Sequence, residues 1–355
     1  ISFFTFQSIS YVIDIYRGKI EPLRNWFDYN FYLSFFPQLV AGPIVRARDF
    51  LPQIRQKPVV TREMFGRAVY LIAAGLFKKA VISDYISVNF VDRIFDNPGL
   101  YSGVENLMGV YGYALQIYCD FSGYSDMAIG IALLLGFHFS INFDSPYKSA
   151  TITEFWRRWH ISLSSWLKDY LYISMGGNRK GRKRTYANLM ATMTLGGLWH
   201  GASLRFILWG VVHGASLAVH KFFLERFPRL TRKTGSEMKP WRRALGVLLT
   251  FNLVCACWVF FRADGMDRAL EVFRRIFTAF HPEVFGEMIA GYKPVFALIA
   301  LGYLAHFLPA RWEDYWCGVL TRTHFVGKAA LLVFVIWIVV QVKSSDIVPF
   351  IYFQF

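Results

Sequence analysis

Residues 186–220 read YANLMATMTLGGLWHGASLRFILWGVVHGASLAVH, and His200 lies near the centre of this stretch. Five cations occur in the six residues from Arg179, and a second basic stretch covers residues 221–243. Lys and Arg collect on the cytoplasmic side of membrane segments. Two basic flanks around one apolar stretch therefore predict a helical hairpin that enters the membrane and returns to the cytoplasmic side.

The length of this stretch constrains how deep the hairpin reaches. A membrane-spanning helix needs about 20 apolar residues, whereas two arms share 35 positions here and are separated by Gly196, Gly197 and Gly201. We therefore expect a re-entrant pair whose tip carries His200 partway into the bilayer, surrounded by protein. An ionisable side chain at that depth is a functional-site hypothesis.

The composition is that of a polytopic all-α membrane protein. Of 355 residues, 55% are hydrophobic and 18% are aromatic, which is more apolar than soluble domains. The net charge of +15 comes from 39 Lys and Arg against 24 Asp and Glu. These cations lie in short loops between apolar runs, so membrane topology explains them and a nucleic-acid partner is not expected.

The remaining apolar pattern predicts a single membrane domain over residues 1–355. We expect an irregular segment at residues 31–45, which contains Pro37 and Pro43, and a helix at 64–90. Arg262 to Phe280 is predicted to be an amphipathic helix on the membrane surface. Because the chain opens on Ile1 inside an apolar run, we expect further membrane helices before it. The predicted membrane segments are 1–16, two helices within 103–136, 245–261, 293–308 and 325–342.

Two carboxyl groups interrupt the apolar run at residues 120–126, which read DFSGYSD. Asp120 and Asp126 suggest a break between two helices, with a carboxylate capping the second helix. The alternative is that these groups couple transport to an ion, as intramembrane carboxylates do in pumps. Capping is the preferred interpretation of the pattern.

A second histidine lies in a segment of different character, residues 151–174. Thr151 and Glu154 form a capping-box pattern, and large apolar residues recur at helical spacing after it. The pattern predicts one amphipathic helix, with His160 on its apolar side. A histidine satisfied at the membrane interface and a functional histidine both remain open interpretations.

Several familiar catalytic patterns are missing from the sequence. It contains no G-x-S-x-G nucleophile elbow, no H-E-x-x-H motif and no Walker A loop. The four cysteines form no CxxC pair, and His213 and His220 have no third ligand nearby in sequence. These patterns argue against a serine hydrolase, a zinc protease, a nucleotide-driven pump and a metal site.

The chemistry of a buried imidazole leaves two functions open. A neutral imidazole can accept a proton from a hydroxyl nucleophile and return it to a leaving group, which suits acyl transfer. Tryptophans and glycines around His200 would exclude water, which otherwise competes as an acyl acceptor. A transport role fits the same residues equally well on physical grounds alone.

Six motifs together resemble the membrane-bound O-acyltransferase family, in particular its bacterial polysaccharide O-acetylation branch. The resemblance runs along nearly the whole chain, and each motif alone would be weak. The motifs are FPQLVAGPIV at 36–45, YCDFSGYSD at 118–126, EFWRRWHIS at 154–162, GGNR at 176–179, GGLWHGA at 196–202 and PFIYFQF at 349–355.

The resemblance implies a helical bundle of this family's type, with re-entrant and in-plane amphipathic helices around a central tunnel in the bacterial inner membrane. It implies that His200 is catalytic and that His160 assists it. It also implies a cytoplasmic acetyl-CoA donor without a bound cofactor, and a periplasmic serine-hydrolase-like partner that places the acetyl group on an exported polysaccharide such as alginate. The expected substrate contacts are Trp199, Asp126, Arg182 and Arg184, the two arginines at the cytoplasmic mouth.

Two rival functions remain open after the resemblance. Within the family, D-alanyl transfer to teichoic acid would use a thioester on a small carrier protein as donor. From another class, a transporter or scaffold for a lipid-linked glycan would use Asp120 and Asp126 as coupling groups.

Overall fold

The computed structural model describes residues 3–39, 42–227 and 239–342. Within these ranges all regular structure is helical and no strand occurs, which confirms the all-α prediction. The basic stretch 221–243 and the motif at 36–45 lie partly outside the described residues, and PFIYFQF at 349–355 lies wholly outside them.

The first half of the chain forms short helices followed by long ones. The α-helices are α1 (Phe3–Tyr16), α2 (Trp26–Ser34), α3 (Phe36–Leu39), α4 (Ala47–Ile54), α5 (Arg62–Leu76), α6 (Asp84–Ile86), α7 (Asp92–Asp96), α8 (Gly103–Leu134), α9 (Ile152–Arg158) and α10 (Ile161–Trp166). The π-helical segments Phe77–Ser83 and Ser87–Val91 join α5 to α7, so the helix predicted at 64–90 is part of one longer helical run. Short 3₁₀ turns lie at Pro98–Leu100 and Pro146–Lys148.

The second half contains the predicted hairpin and the most apolar helices. A π-helical segment, Leu167–Tyr172, precedes it, and a 3₁₀ turn lies at Pro282–Val284. The α-helices are α11 (Arg182–His200), α12 (Leu204–Arg226), α13 (Pro240–Arg262), α14 (Met266–Thr278), α15 (Phe285–Gly291), α16 (Lys293–Phe307), α17 (Arg311–Arg322) and α18 (Phe325–Val342).

The helix α8 is continuous over 32 residues, so the break predicted at residues 120–126 is wrong. The capping box that starts this helix lies at Ser102 and Glu105 instead. Gly123 does not end the helix because it permits a close crossing with α5. A Cβ atom on Gly123 would lie 2.7 Å from the carbonyl oxygen of Gly75. The glycine therefore serves packing between helices rather than a turn.

The two arms of the predicted hairpin are helical and pack against each other, and they are longer than the pattern suggested; the re-entrant path through the membrane stays a prediction. Helix α11 has 19 residues and α12 has 23, which at 1.5 Å per residue gives roughly 28 and 34 Å. Helix α12 by itself is long and apolar enough to cross a membrane. The expectation that neither arm is long enough to span the membrane is therefore wrong for this arm. Glycines let the arms touch, since a Cβ on Gly197 or Gly210 would overlap a backbone carbonyl oxygen of the other arm.

The other predicted membrane segments are helical as expected, with one difference. Among the described residues, α12, α13 and α18 have the length and composition of a span. Helix α16 has only 15 residues and, with the preceding helical segment Pro282–Gly291, makes a pair bent by 98°. The amphipathic prediction for Arg262 to Phe280 is confirmed by α14, which buries Ala269 and Val272.

Candidate active site

The predicted helix over residues 151–174 is interrupted at His160. Thr151 caps α9 as expected, because its hydroxyl accepts the N–H of Glu154 at 3.1 Å. The chain then leaves helical geometry, and His160 takes φ 44° and ψ 57° before α10 begins. The backbone N–H of Ile161 donates to the carbonyl oxygen of Asn142 at 2.9 Å. This contact with a distant loop residue explains why the helix stops where the local pattern continues.

His160 is buried inside the protein, so the interpretation as an interfacial histidine is wrong. Its exposed fraction is 1%, and its ring lies edge-to-face on Phe121 with centroids 4.6 Å apart. The Nδ1 atom lies 3.2 Å from Oδ1 of Asn142. The Nε2 atom is buried and has no hydrogen-bond partner among the described residues. Nδ1 is thus fixed by a hydrogen bond, and Nε2 can exchange a proton with a substrate.

His200 is the last residue of α11, at the turn of the hairpin. Three aromatic rings surround its imidazole: Trp199 at 4.7 Å, Phe261 at 5.0 Å and Trp209 at 5.2 Å between centroids. Gly201 follows because a Cβ there would lie 2.6 Å from the ring of Phe206. The glycine lets the chain turn sharply while keeping His200 against the aromatic cluster.

The two histidines, 40 positions apart in the sequence, line the same cavity. Its volume is about 10 Å³, the space of roughly one water molecule. Apolar groups form the rest of the wall: Ile117, Trp156, Trp159, Leu163, Trp209, Trp258 and Phe261. An apolar wall strengthens electrostatic interactions and excludes water. An imidazole that lines this cavity can therefore accept or donate a proton where little water is present to compete as a proton donor or acceptor.

Trp199 lies beside this cavity but does not line it. Its ring packs on Phe6 and Phe3 of α1, with centroids 5.0 and 5.8 Å apart. It thus connects the hairpin tip to the first helix. Its predicted role in contacting substrate stays a prediction.

Asp120 and Asp126 form ion pairs in the middle of α8, so the capping prediction is wrong. Oδ2 of Asp126 lies 2.6 Å from Nζ of Lys78, and Oδ1 of Asp120 lies 2.6 Å from Nζ of Lys79. Lys79 also contacts Asp84 at 2.7 Å. Neither aspartate lines the histidine cavity. Lys79 and Lys78 stand in a π-helical segment 41 and 48 residues before their partner aspartates, so a local pattern could not reveal them.

The two predicted basic substrate contacts lie far from the histidines. Arg182 begins α11 and His200 ends it, a separation of roughly 27 Å along the helix axis. The side chain of Arg182 is 77% exposed and lies 3.3 Å from Glu225 at the end of α12. Arg184 is exposed as well. The structure brings His160 and His200 together and leaves both arginines at the opposite end of the hairpin.

Sequence reasoning missed a polar residue in this region, Asn142. Its Oδ1 accepts hydrogen bonds from the backbone N–H and the hydroxyl of Ser162 at 3.1 and 2.9 Å. The only local signal was an amide between apolar residues in the stretch FSINFD at 139–144. Its neighbours become visible only when the chain is folded.

His213 is also buried, but it serves packing. Its Nδ1 accepts a hydrogen bond from Nε1–H of Trp156 at 3.3 Å, and Trp156 is a wall of the histidine cavity. In the part of the chain that the structure describes, no group of three or more His, Cys, Asp or Glu side chains is arranged to hold a metal ion.

The fold and the cavity together define a helical membrane protein in which the buried His160 and the half-buried His200 line one cavity. Residues 23–260 match the sequence model of the membrane-bound O-acyltransferase family, and the chain belongs to that family. It is a multi-pass membrane protein. The resemblance noted from its motifs is thereby confirmed.

Individual relatives show what kinds of acyl transfer occur among similar chains. A probable alginate O-acetylase of Pseudomonas putida is 37% identical over 374 residues, covering 100% of this chain and 74% of that protein. A peptidoglycan O-acetyltransferase of Helicobacter pylori is 40% identical over 300 residues, covering 77% and 55%. A teichoic acid D-alanyltransferase of Bacillus subtilis is 28% identical over 269 residues, covering 72% and 66%. The chain spans 51–54% of the length of four other probable alginate O-acetylases.

Proposed function

We propose that this chain is an O-acetyltransferase of the bacterial inner membrane. It takes acetyl from acetyl-CoA on the cytoplasmic side and passes it across the membrane for O-acetylation of an exported polysaccharide such as alginate. The observation that carries the proposal is the convergence of His160 and His200 on one apolar cavity. The names of the acetylating relatives support the choice of acyl group.

The proposed reaction at the cavity is thioester transfer to a hydroxyl. The acceptor oxygen attacks the acetyl carbonyl carbon, a C–O bond forms and the C–S bond of the donor breaks. His200 takes the hydroxyl proton and returns it to the sulfur, so that the products are an acetyl ester and the free thiol. His160 assists by orienting the reacting groups. Both imidazoles are held by aromatic packing, which limits their motion.

We further propose a division of labour with a periplasmic serine-hydrolase-like partner. The chain carries no G-x-S-x-G motif, so a nucleophilic serine of that kind would come from another protein. The partner would receive the acetyl group and place it on polysaccharide hydroxyls. No resident cofactor is needed for this chemistry, because the thioester donor already carries an activated acyl group.

The test is acetyl transfer by the full-length protein in proteoliposomes supplied with radiolabelled acetyl-CoA. His200→Ala should abolish transfer, and His160→Ala should slow turnover while the amount of folded protein stays unchanged. His138→Ala is the matched control, because His138 is exposed and its side chain lies outside the cavity. Full activity of His200→Ala would overturn the proposal.

The same preparation distinguishes the two rival functions. For D-alanyl transfer, a D-alanyl thioester on a carrier protein replaces acetyl-CoA as donor, and turnover with that donor alone would favour the rival. If the chain is a coupled transporter, Asp126→Asn would abolish acetyl transfer in this assay, whereas His200→Ala would retain it. The ion pair of Asp126 with Lys78 at 2.6 Å supports a structural role for this carboxylate.

A further inference from the structure

Asn142 lies in the loop before α9 and makes hydrogen bonds through every polar group of its side chain. It is 1% exposed. Oδ1 accepts from the backbone N–H of Ser162 at 3.1 Å and from its hydroxyl at 2.9 Å. Nδ2 donates to Oγ of Ser125 on α8 at 3.1 Å. The amide is therefore fixed between α8 and the start of α10.

These contacts determine which way the amide points. A backbone N–H can only donate, so the Asn142 atom facing the N–H of Ser162 must be the oxygen. The reversed amide would place its NH₂ group against that N–H and leave two buried donors opposed. Leaving a buried donor without an acceptor is unfavourable, because its lost hydrogen bond to water is not replaced. The oxygen consequently also faces His160.

The oxygen in turn determines the tautomer of His160. Nδ1 of His160 lies 3.2 Å from Oδ1 of Asn142 and 3.5 Å from Oγ of Ser162. The Ser162 hydroxyl donates its one proton to Asn142, and its oxygen accepts the backbone N–H of Ile44 at 3.0 Å. Nδ1 thus faces acceptors only. It must carry the proton, because a lone pair there would oppose the lone pairs of both oxygens.

We propose that Asn142 is a positioning residue that holds His160 in the Nδ1–H tautomer and so presents the lone pair of Nε2 to the cavity shared with His200. The inference rests on the proposed function for its catalytic meaning. When the imidazole of His160 is neutral, its Nε2 can accept a hydrogen bond from an incoming hydroxyl, but it cannot donate one to the acetyl carbonyl oxygen. The developing negative charge on that oxygen must therefore be stabilised by another group.

Asn142 also holds the backbone of His160. A left-handed conformation is sterically unfavourable for a non-glycine residue, and His160 adopts it at φ 44°. The hydrogen bond from Ile161 N–H to the carbonyl oxygen of Asn142 holds the chain in this turn. Asn142 therefore fixes both the backbone and the ring of His160.

The direct test is nitrogen NMR of the full-length protein with ¹⁵N-labelled histidine in nanodiscs, at a pH where His160 is neutral. His160→Gln identifies the His160 signals by their loss. We expect protonated Nδ1 and unprotonated Nε2 in the wild type, and a shift of population toward Nε2–H in Asn142→Leu. Asn142→Asp should retain the wild-type tautomer, because its carboxylate still accepts from Nδ1–H. Protonated Nε2 in the wild type would overturn the proposal.

Kinetics give a second readout that a purely structural role would not produce. Asn142→Leu should lower kcat by about 10²-fold or more, with a much smaller change in KM for acetyl-CoA, and Asn142→Asp should recover part of the loss. Asn106→Leu is the matched control: Asn106 is buried on α8 and bonds the carbonyls of Pro98, Tyr101 and Ser102. It should lower thermal stability but leave kcat and the His160 tautomer unchanged. Equal kcat losses in Asn142→Leu and Asn106→Leu would refute a positioning role.

The two readouts separate this inference from the proposed function. NMR reports the tautomer whether or not acetyl is transferred. A wild type that transfers acetyl but carries Nε2–H refutes the inference alone. A wild type that carries Nδ1–H but transfers no acetyl refutes the proposed function and leaves the assignment of the tautomer intact.

Discussion

The contact between the two hairpin arms should control activity more strongly than stability. A Cβ at Gly197 would lie 3.1 Å from the carbonyl carbon of Phe206 and would overlap its oxygen. Ordinary contact between such atoms needs about 3.5–4.0 Å. The substitution Gly197→Ala therefore requires the arms to separate by about 1 Å, one helical turn before His200.

This displacement has different consequences for folding and for catalysis. Overpacking costs about 1–3 kcal/mol, and replacing a helical glycine by alanine returns about 1 kcal/mol, so the net loss of stability is about 0–2 kcal/mol. A misplacement of about 1 Å at a reacting group can lower the rate by about 10²-fold. We expect Gly197→Ala to remain folded and to lose acetyl transfer by about that factor.

The assay is kcat for acetyl transfer alongside thermal unfolding of each variant. Gly318→Ala is the control, because a Cβ at Gly318 in α17 meets no atom within 4 Å. It should stabilise the protein by up to about 1 kcal/mol and leave kcat unchanged. A folded Gly197→Ala variant with kcat within about twofold of wild type would refute the view that close packing of the arms positions His200.

Three further predictions concern the backbone, the ion pairs and the basic mouth. His160→Gly should be more stable to unfolding than His160→Ala by about 1 kcal/mol, because glycine tolerates the left-handed turn; equal stability would contradict the strain. Asp126→Leu should destabilise the protein by leaving Lys78 without the carboxylate 2.6 Å away, and Lys78→Met added to it should recover stability; thermal unfolding of a double-mutant cycle would show no coupling if the pair were unimportant. Arg182→Glu with Arg184→Glu should raise KM for acetyl-CoA severalfold at low ionic strength and less at high salt. An unchanged KM would leave these arginines with a role in topology alone.

The residues at 120–126 illustrate where local reasoning about this chain fails. Two aspartates, two serines and a glycine within seven residues favour a helix end when only neighbours along the chain are considered. In the folded protein the carboxylates are satisfied by Lys78 and Lys79, and Gly123 permits the crossing with Gly75. Ion pairing and close packing removed the reasons for a break.

The membrane class and the helical hairpin follow from the amino-acid sequence alone, and the same sequence predicts a functional role for His200. Apolar run length, clustered cations and helical periodicity are local properties, and they predict which segments become helices and which side of the membrane they face. The motifs added the family and pointed to His160. None of these signals depends on contacts between distant residues.

The construction of the site depends on contacts between residues that are distant in the sequence. The turn at His160 and its tautomer depend on Asn142, which lies 18 residues earlier, and the shared cavity depends on packing between α10, the hairpin and α13. A hydrogen bond to a buried oxygen can override local helix preference, because leaving a buried donor or acceptor unsatisfied costs about 1–3 kcal/mol. Such hydrogen-bond partners come together only when the chain folds, so no pattern along the sequence reveals them.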